Sequence, residues 1–224
     1  MAKRSIRRAS APASTLFLDD QIDDSGIVAF DFDGTLTVRD SFTAFLKWRA
    51  GTGGYMAGLA SLAPAALGYI GHRNRGRMKA AVLRRFLAGT ARAELETQAR
   101  TFAEIMAPKL LRPDAVQTWR RWRQRHAKLV IVSASPEIIV APFARGLGAD
   151  ALICTELAFD DQERVTGYLL GANCRGPEKV RRLREVYGAD LQLRAAYGDT
   201  AGDRDMLSIA DFKGYRVFTE RPQG

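Results

Sequence analysis

The sequence predicts an α/β fold, a doubly wound and mostly parallel sheet that carries a large helical insertion. Three observations support this prediction. Short apolar runs alternate with helical patterns along the second half of the chain, the runs are closed by small or acidic residues, and residues 41–126 show no convincing strand pattern. Strands that alternate with helices favour a parallel sheet with helices on both faces. A chain of 224 residues is long enough for such a core and one insertion.

Each predicted strand is a continuous apolar run, as is typical of strands buried on both faces. The runs are residues 26–30, 128–132, 151–154 and 193–197, with a fifth candidate at 215–219. Helices are predicted at 136–147 and 177–187, and Pro177 suits a first turn. Two strand-like pieces around residues 160–163 indicate a β-hairpin over 157–170. The predicted domains are a core of 26–40 and 127–224, a helical cap of 41–126 and a flexible basic tail of 1–25.

Charge and cysteine content limit the partners and the compartment. The net charge of +9 and the isoelectric point near 9.9 favour anionic partners, such as phosphate esters, anionic lipids or nucleic acid. No nucleic-acid-binding motif accompanies the charge, so nucleic acid is not expected. Cys154 and Cys174 form no metal-ligand pattern and are interpreted as free thiols of a reducing compartment. The predicted location is cytoplasmic, with the basic tail either solvated or attached to an anionic membrane.

Four polar clusters follow predicted core strands or begin a helix beside them. They contain Asp31 with Asp33, Ser133, Lys179, and Asp199 with Asp203. Ligands of open α/β sheets bind at the carboxyl ends of the strands. We therefore expect these side chains to meet at one edge of the sheet.

These residue types suit the hydrolysis of a phosphate monoester, which is dianionic and repels nucleophiles. Mg²⁺ takes hard oxygen ligands, often one or two carboxylates, and Asp31 and Asp199 are its predicted ligands. Asp31 is also the predicted nucleophile, since a carboxylate can form an aspartyl-phosphate and divide the reaction into two steps. Asp33 could protonate the leaving alkoxide and later deprotonate the attacking water.

The remaining polar residues have predicted roles around the phosphoryl group. Ser133 and the backbone N–H groups beside it would bind phosphoryl oxygens. Lys179 would offset charge on the nucleophile and on the transferring group. Asp203 would orient Lys179 or a metal-bound water.

The motifs resemble those of the haloacid dehalogenase (HAD) superfamily. The run Asp-Phe-Asp-Gly-Thr-Leu-Thr at 31–37 resembles motif one, Ser133 motif two, Lys179 motif three, and Gly-Asp-Thr-Ala-Gly-Asp at 198–203 motif four. The resemblance implies a Rossmann-like core, Mg²⁺ and an aspartyl-phosphate intermediate. It also implies that the backbone carbonyl of Asp33 binds the metal. By the same resemblance, Gly34, Thr35 and Ala134 lie at the phosphate and Thr200 lies beside Asp203.

Within that superfamily the chain is similar to the phosphoserine-phosphatase-like branch with a C1-type cap. Stretches at 133–136, 148–150, 155–157 and 173–176 resemble subfamily IB and its phosphatidylglycerophosphatase C group. Two departures bear on phosphoserine specificity. Asp40 stands where phosphoserine phosphatases carry a glutamate, and Gly202 stands where they usually carry an asparagine.

The predicted cap contains an uncharged segment at residues 50–71, interrupted by Pro64 and followed by a basic cluster of Arg73, Arg75, Arg77 and Lys79. It is interpreted as an interfacial or lipid-facing segment rather than a transmembrane span, with a buried helix pair as the alternative. The leading hypothesis is a peripheral-membrane phosphatase acting on a lipid phosphomonoester, such as phosphatidylglycerophosphate. The alternatives are a phosphatase for a soluble metabolite such as phosphoserine, and a non-enzymatic basic protein.

Overall fold

The computed structural model describes residues 26–62 and 75–223, and its centre is a six-stranded sheet. The strands are β1 (Ile27–Phe30), β2 (Lys128–Pro136), β3 (Ala151–Phe159), β4 (Val165–Leu170), β5 (Leu193–Gly198) and β6 (Ala210–Tyr215). Their spatial order is β4-β3-β2-β1-β5-β6. All neighbours are parallel except β4, which runs antiparallel to β3. The predicted α/β fold with a mostly parallel sheet is confirmed.

Helices cover both faces of the sheet. Those of the core are α5 (Glu137–Leu147), α6 (Pro177–Tyr187) and α7 (Arg204–Ser208). Alternate residues of β1 belong to two separate apolar clusters, because successive side chains of a strand point to opposite faces. Val28 and Phe30 pack in one cluster with Trp119, and Ala29 packs in the other with Leu183. This burial on both faces explains the continuous apolar runs in the sequence.

Two strands differ from the sequence prediction. The third strand does not end at residue 154 but continues to Phe159, where it forms the predicted hairpin with β4. The last strand lies at Ala210–Tyr215, so the candidate at 215–219 was wrong. This edge strand pairs only with β5, and its alternating burial gives no apolar run. The apolar residue of the wrongly predicted strand, Phe218, instead packs against Tyr197 at 5.2 Å between ring centroids.

The insertion is helical throughout its described residues, 41–62 and 75–126, with no extended strand among them. Its helices are α1 (Ser41–Ser61), α2 (Arg75–Leu87), α3 (Arg92–Leu110) and α4 (Pro113–Gln124). Gly51 has a left-handed φ of +68° and bends α1. Helix α4 lies on the core sheet, where Trp119 packs against Phe30 and Trp122 donates a hydrogen bond to the Tyr197 hydroxyl at 2.8 Å.

The chain leaves the core and returns to it along adjacent paths. Thr37 and Leu111 form an antiparallel bridge, and the Val38 N–H donates to the Leu110 carbonyl at 2.8 Å. The insertion is therefore attached to the core immediately beside the end of β1. Across the described ranges, no helix combines the length and the apolar character needed to cross a membrane. The tail of 1–25 and residues 63–74 of the insertion lie outside the described residues.

Candidate active site

A buried lysine joins three elements at the carboxyl edge of the sheet. The Lys179 ammonium donates to Asp31 Oδ1 at 2.6 Å, to Asp203 Oδ1 at 2.7 Å and to the Val132 carbonyl at 2.7 Å. Lys179 stands in the first turn of α6, which begins at Pro177, and its side chain is 1% exposed. Burial opposes the charge of this group, but the two carboxylates outweigh it and raise its pKa. The lysine is therefore a permanent cation at this edge.

Asp31 follows β1 directly and is held at the centre of the cluster. Its backbone N–H donates to the Tyr197 carbonyl at 2.9 Å, which fixes it to the neighbouring strand β5. Thr35 donates its hydroxyl to Asp31 Oδ2 at 3.2 Å. Burial raises the pKa of Asp31 to about 7, although Lys179 lowers it. One lysine therefore does not neutralise this carboxylate fully.

Three carboxylates form a group that could hold a metal ion. Oxygens of Asp31, Asp199 and Asp203 all lie within 4.8 Å of one another. Burial, with the Asp203 charge next, raises the pKa of Asp199. Asp203 differs from the other two, because Lys179 outweighs the effect of burial and lowers its pKa. Hard, crowded carboxylate oxygens suit Mg²⁺, so the residues present fit this ion.

Asp203 is already bound on both oxygens. Oδ1 accepts from Lys179, while Oδ2 accepts from the Thr200 N–H at 2.8 Å and the Thr200 hydroxyl at 2.9 Å. The Asp199 N–H also donates to Oδ2, at 3.3 Å. Asp203 is therefore placed to orient Lys179 and the loop that carries Asp199. Asp31 Oδ2 and Asp199 Oδ1 accept only longer hydrogen bonds, both from the Thr35 hydroxyl, so Asp31 and Asp199 are the carboxylates better placed to bind a cation.

Asp33 lies nearby, but its carboxylate is directed to a different set of partners. Oδ1 accepts from the Ser41 N–H at 2.6 Å, and Oδ2 accepts from the Ser135 hydroxyl at 2.6 Å and the Ser133 hydroxyl at 3.3 Å. Burial, with the Asp40 charge next, raises the pKa of Asp33. A carboxyl group with a raised pKa can hold a proton, which a general acid requires.

These motif residues decide the family. The family profile described as haloacid dehalogenase-like hydrolase matches residues 28–208, which include all four motifs. The chain belongs to the haloacid dehalogenase-like hydrolase family. The prediction of a HAD hydrolase is therefore confirmed.

Two curated proteins and one solved structure show similarity to this HAD hydrolase. Protein CicA of Caulobacter vibrioides is 57% identical over 222 residues, which cover 99% of this chain and 100% of that protein. Phosphoserine phosphatase SerB2 of Mycobacterium tuberculosis is 31% identical over 189 residues, which cover 82% of this chain and 42% of SerB2. A phospho-aspartyl intermediate analogue of phosphoserine phosphatase has a TM-score of 0.55 at 21% identity, covering 84% of this chain and 85% of that one. The family and the similarity to phosphoserine phosphatase SerB2 support a phosphatase, and the solved structure shows a shared fold.

A cavity of about 790 Å³ separates the HAD core from the cap and opens onto the motif residues. Its core side includes Asp31, Gly34, Ala134, Lys179 and Asp199. Its cap side also includes Thr43 and Lys79, but it is mainly apolar, with Phe42, Leu46, Tyr55, Leu59, Met78 and Val82. The hydrolase therefore presents a charged floor and an apolar wall to one ligand.

Of the remaining predicted phosphate contacts, Gly34 and Ala134 line the cavity, whereas Ser133 and Thr35 are buried behind its lining. Ser133 is fully buried, and its hydroxyl accepts the Ser135 N–H at 3.0 Å. Thr35 is buried between two carboxylates, with Asp199 Oδ1 at 3.5 Å from its hydroxyl. Gly34 has a φ of +86°, and a Cβ built on it would lie 2.4 Å from Asp199 Oδ2. Motif one therefore requires glycine there for both conformation and space.

The residues predicted to set specificity are only partly described. Asp40 lines the cavity and caps α1, accepting the Thr43 N–H at 2.6 Å. Arg73 lies outside the described residues, and for Arg75 and Arg77 only the backbone at the start of α2 is described.

Sequence reasoning missed three side chains of this site. Lys79 of α2 donates to the Ala134 carbonyl and, at 2.7 Å, to Asn173 Oδ1. Burial lowers the pKa of Lys79 to about 8, although Asp33 raises it. Ser135 binds Asp33, as described above. Ser135 and Asn173 stand in the stretches quoted for the subfamily resemblance, which was the only available signal for them, and Lys79 appeared only as one of several cap cations.

Proposed function

We propose that this HAD hydrolase is a Mg²⁺-dependent phosphomonoesterase that works through an aspartyl-phosphate on Asp31. The observation that carries the proposal is the buried Lys179, which holds Asp31 beside Asp199 while Asp33 faces a separate set of donors. One cavity therefore contains a nucleophile, Asp31, a cation site between Asp31 and Asp199, and an acid–base group, Asp33, that has its own hydrogen-bond donors. The phospho-aspartyl analogue of phosphoserine phosphatase, with its similar fold, is consistent with this chemistry.

In the first step, an Asp31 carboxylate oxygen attacks phosphorus and the bond from phosphorus to the ester oxygen breaks. Asp33 gives its proton to the departing alkoxide. In the second step, water attacks the phosphorus of the aspartyl-phosphate, Asp33 takes a proton from it, and Asp31 is released with inorganic phosphate. Lys179 stays protonated throughout and offsets the negative charge on Asp31 and the phosphoryl oxygens.

The other motif residues have supporting roles in the proposal. Ser133 and the backbone N–H groups around Gly34, Thr35 and Ala134 bind phosphoryl oxygens. The Asp31 and Asp199 carboxylates and the Asp33 carbonyl would hold Mg²⁺, which would supply positive charge to offset the negative charge of the dianionic phosphate. Thr200 and Asp203 hold the loop that presents Asp199, as their hydrogen bonds indicate.

We propose a lipid phosphomonoester as the substrate, such as phosphatidylglycerophosphate, which would place the chain in the phosphatidylglycerophosphatase C group of subfamily IB. The mainly apolar cap wall supports this substrate, because a small polar ester such as phosphoserine has no apolar group that would cover it. The second half of α1 supports it too, since Met56 is 57% exposed and Leu59 37% exposed on an uncharged stretch. We propose that this stretch, with the basic cluster of Arg73, Arg75 and Arg77, rests peripherally on the cytoplasmic face of an anionic membrane.

A soluble phosphorylated metabolite is the second candidate. The similarity to phosphoserine phosphatase SerB2 favours it, and so does Asp40, whose carboxylate at the cavity could face a substrate ammonium group. The two candidates differ in how they use the apolar wall: phosphoserine leaves it uncovered, whereas an acyl chain buries it.

The deciding experiment measures phosphate release from phosphatidylglycerophosphate in vesicles and from phosphoserine in solution, with wild type, Asp31→Asn and Leu59→Gln. We expect Asp31→Asn to abolish release from every substrate. We expect Leu59→Gln to slow hydrolysis of the lipid selectively, while release from the small generic substrate p-nitrophenyl phosphate stays unchanged. Turnover of phosphoserine alone would favour the second candidate, and full activity of Asp31→Asn would refute the mechanism.

A further inference from the structure

The two loops that carry the proposed metal ligands touch each other directly. Gly34 of motif one approaches Asp199 so closely that an added Cβ would lie 2.4 Å from Oδ2 and 2.8 Å from Cγ. No side chain separates the loops at this point. A small displacement of the Gly34 backbone would therefore move Asp199 relative to Asp31.

Arg112 holds the motif-one loop from behind. It lies at the point where the insertion rejoins the core, and its backbone N–H donates to the Leu36 carbonyl at 2.8 Å. Its guanidinium Nε is 3.2 Å from the Gly34 carbonyl and 3.2 Å from the Thr37 carbonyl. Hydrogen bonds from a charged donor are stronger than those between neutral groups. One side chain therefore holds the loop at its middle, Gly34, and at its end, Thr37.

The C-terminal segment completes this arrangement. Arg112 Nη1 donates to the Glu220 carbonyl at 3.0 Å. Asp114 Oδ2 accepts the N–H groups of Thr219 at 2.7 Å and Glu220 at 3.0 Å. Phe218 anchors the same segment by packing on Tyr197. Arg112, Asp114 and residues 217–220 together form a unit that we call the rear brace.

The rear brace also reaches the Asp199 loop. Arg216 immediately precedes it, and its Nε donates to the Asp199 carbonyl at 2.7 Å. Arg216 has a left-handed φ of +54°, a conformation that a non-glycine residue keeps only when its surroundings enforce it. The loops of Asp199 and Gly34 are thus both held from the side opposite the cavity.

We propose that Arg112 is a positioning residue that sets Mg²⁺ affinity by fixing the motif-one loop against Asp199. The inference rests on the proposed Mg²⁺ site of this hydrolase. Arg112 touches neither the substrate cavity nor a carboxylate of the cluster, so it acts through the Gly34 carbonyl. Groups that hydrogen-bond a metal ligand directly typically change metal affinity by about 10-fold to 100-fold when they are replaced, and Arg112 holds the residue next to the proposed ligand Asp33, so we expect the lower end of that range.

The test compares Mg²⁺ dissociation constants from calorimetry on metal-free protein for wild type, Arg112→Gln, Arg112→Lys and Asp114→Ala. Arg123→Gln is the matched control, because Arg123 also donates to a backbone carbonyl, that of Gly148, but at a distance from the motifs. We expect the Mg²⁺ dissociation constant to rise by about 10-fold for Arg112→Gln. The rise should be smaller for Arg112→Lys, which keeps the charge but loses the planar guanidinium that donates to several carbonyls. The control should bind like wild type, and substrate KM at saturating Mg²⁺ should not change.

Asp114→Ala separates the inference from simple misfolding. It removes the acceptor of the Thr219 and Glu220 N–H groups, so the Glu220 carbonyl no longer holds the Arg112 guanidinium firmly against the Gly34 carbonyl. A moderate rise in the dissociation constant is therefore expected even if Arg112→Gln does not fold. Mg²⁺ binding as tight as wild type in both Arg112→Gln and Asp114→Ala would overturn the inference and leave the proposed function intact. Absence of Mg²⁺ binding by wild type would overturn both.

Discussion

Replacement of Lys179 by methionine tests the electrostatic centre of the site. Methionine fills a similar volume but removes the charge and the three hydrogen bonds to Asp31, Asp203 and the Val132 carbonyl. The variant leaves two carboxylates buried without their cation. Loss of one partner from a buried ion pair costs about 3–5 kcal/mol. We expect the free energy of unfolding of the metal-free protein to fall by about that amount, measured by urea denaturation.

The pH dependence of this loss has a definite sign. The pKa of Asp31 is already raised to about 7 in the wild type, and removal of the lysine raises it further. A carboxyl group whose folded pKa lies above its unfolded value stabilises the fold at low pH and loses that contribution as pH rises through the folded pKa. The destabilisation by Lys179→Met should therefore be smaller at about pH 5 than at about pH 8.

A double variant separates charge from packing. Lys179→Met combined with Asp31→Asn no longer buries an unpaired Asp31 charge, so it should be more stable than Lys179→Met alone. Lys213→Met is the control, because Lys213 is exposed on β6 and its loss should change stability little. A Lys179→Met protein as stable as wild type, or a double variant no better than the single one, would refute the reasoning.

Three further predictions concern the same cavity. Asp33→Asn should keep the contacts to Ser135 but lose proton transfer, so steady-state phosphate release should fall by about 10²-fold to 10⁴-fold; a smaller loss would contradict the acid–base role. Mg²⁺ at about 100 times its dissociation constant should stabilise the wild type by about 2.7 kcal/mol in thermal unfolding. Asp199→Asn should lose most of that gain, and equal stabilisation of both proteins would argue against Asp199 as a ligand. Gly34→Ala should be less stable by about 1–3 kcal/mol, because its φ is +86° and its Cβ would meet Asp199; wild-type stability by denaturation would show that the loop adapts.

The convergence of the motif residues was predictable because it depends on topology alone. Parallel strands end at one edge of the sheet, so residues that follow β1, β2 and β5 must lie together wherever the helices pack. Asp31 and Lys179 are 148 positions apart in the chain, yet their side chains are 2.6 Å apart. The cation bridge between Asp31 and Asp203 likewise agrees with the orienting role expected for Asp203.

The contacts of the cap were not predictable in the same way. Lys79 reaches the Ala134 carbonyl because the tertiary fold places α2 beside the end of β2, and no local sequence pattern encodes that placement. The last strand was misplaced for a related reason. An edge strand is covered on one side only, so Ala210–Tyr215 has no continuous apolar run, whereas Val217 and Phe218 form one without being extended in the sheet.

The charge balance of the site links metal binding to protons. Lys179 bonds about equally closely to Asp31 and Asp203, yet only the pKa of Asp203 is lowered, because burial outweighs Lys179 at Asp31, whereas Lys179 with the Thr200 hydrogen bonds outweighs burial at Asp203. The pKa values of Asp31 and Asp199 are both raised, so the positive charge near these two carboxylates does not offset the cost of burying them. A divalent cation bound between them would favour their ionised forms and displace protons. Mg²⁺ affinity should thus increase with pH through about 7, the pKa of Asp31, and calorimetry in buffers of different ionisation enthalpy would detect the released proton. Binding without proton release would mean that Asp31 is ionised before the metal arrives, and that Lys179 alone is sufficient to keep it so.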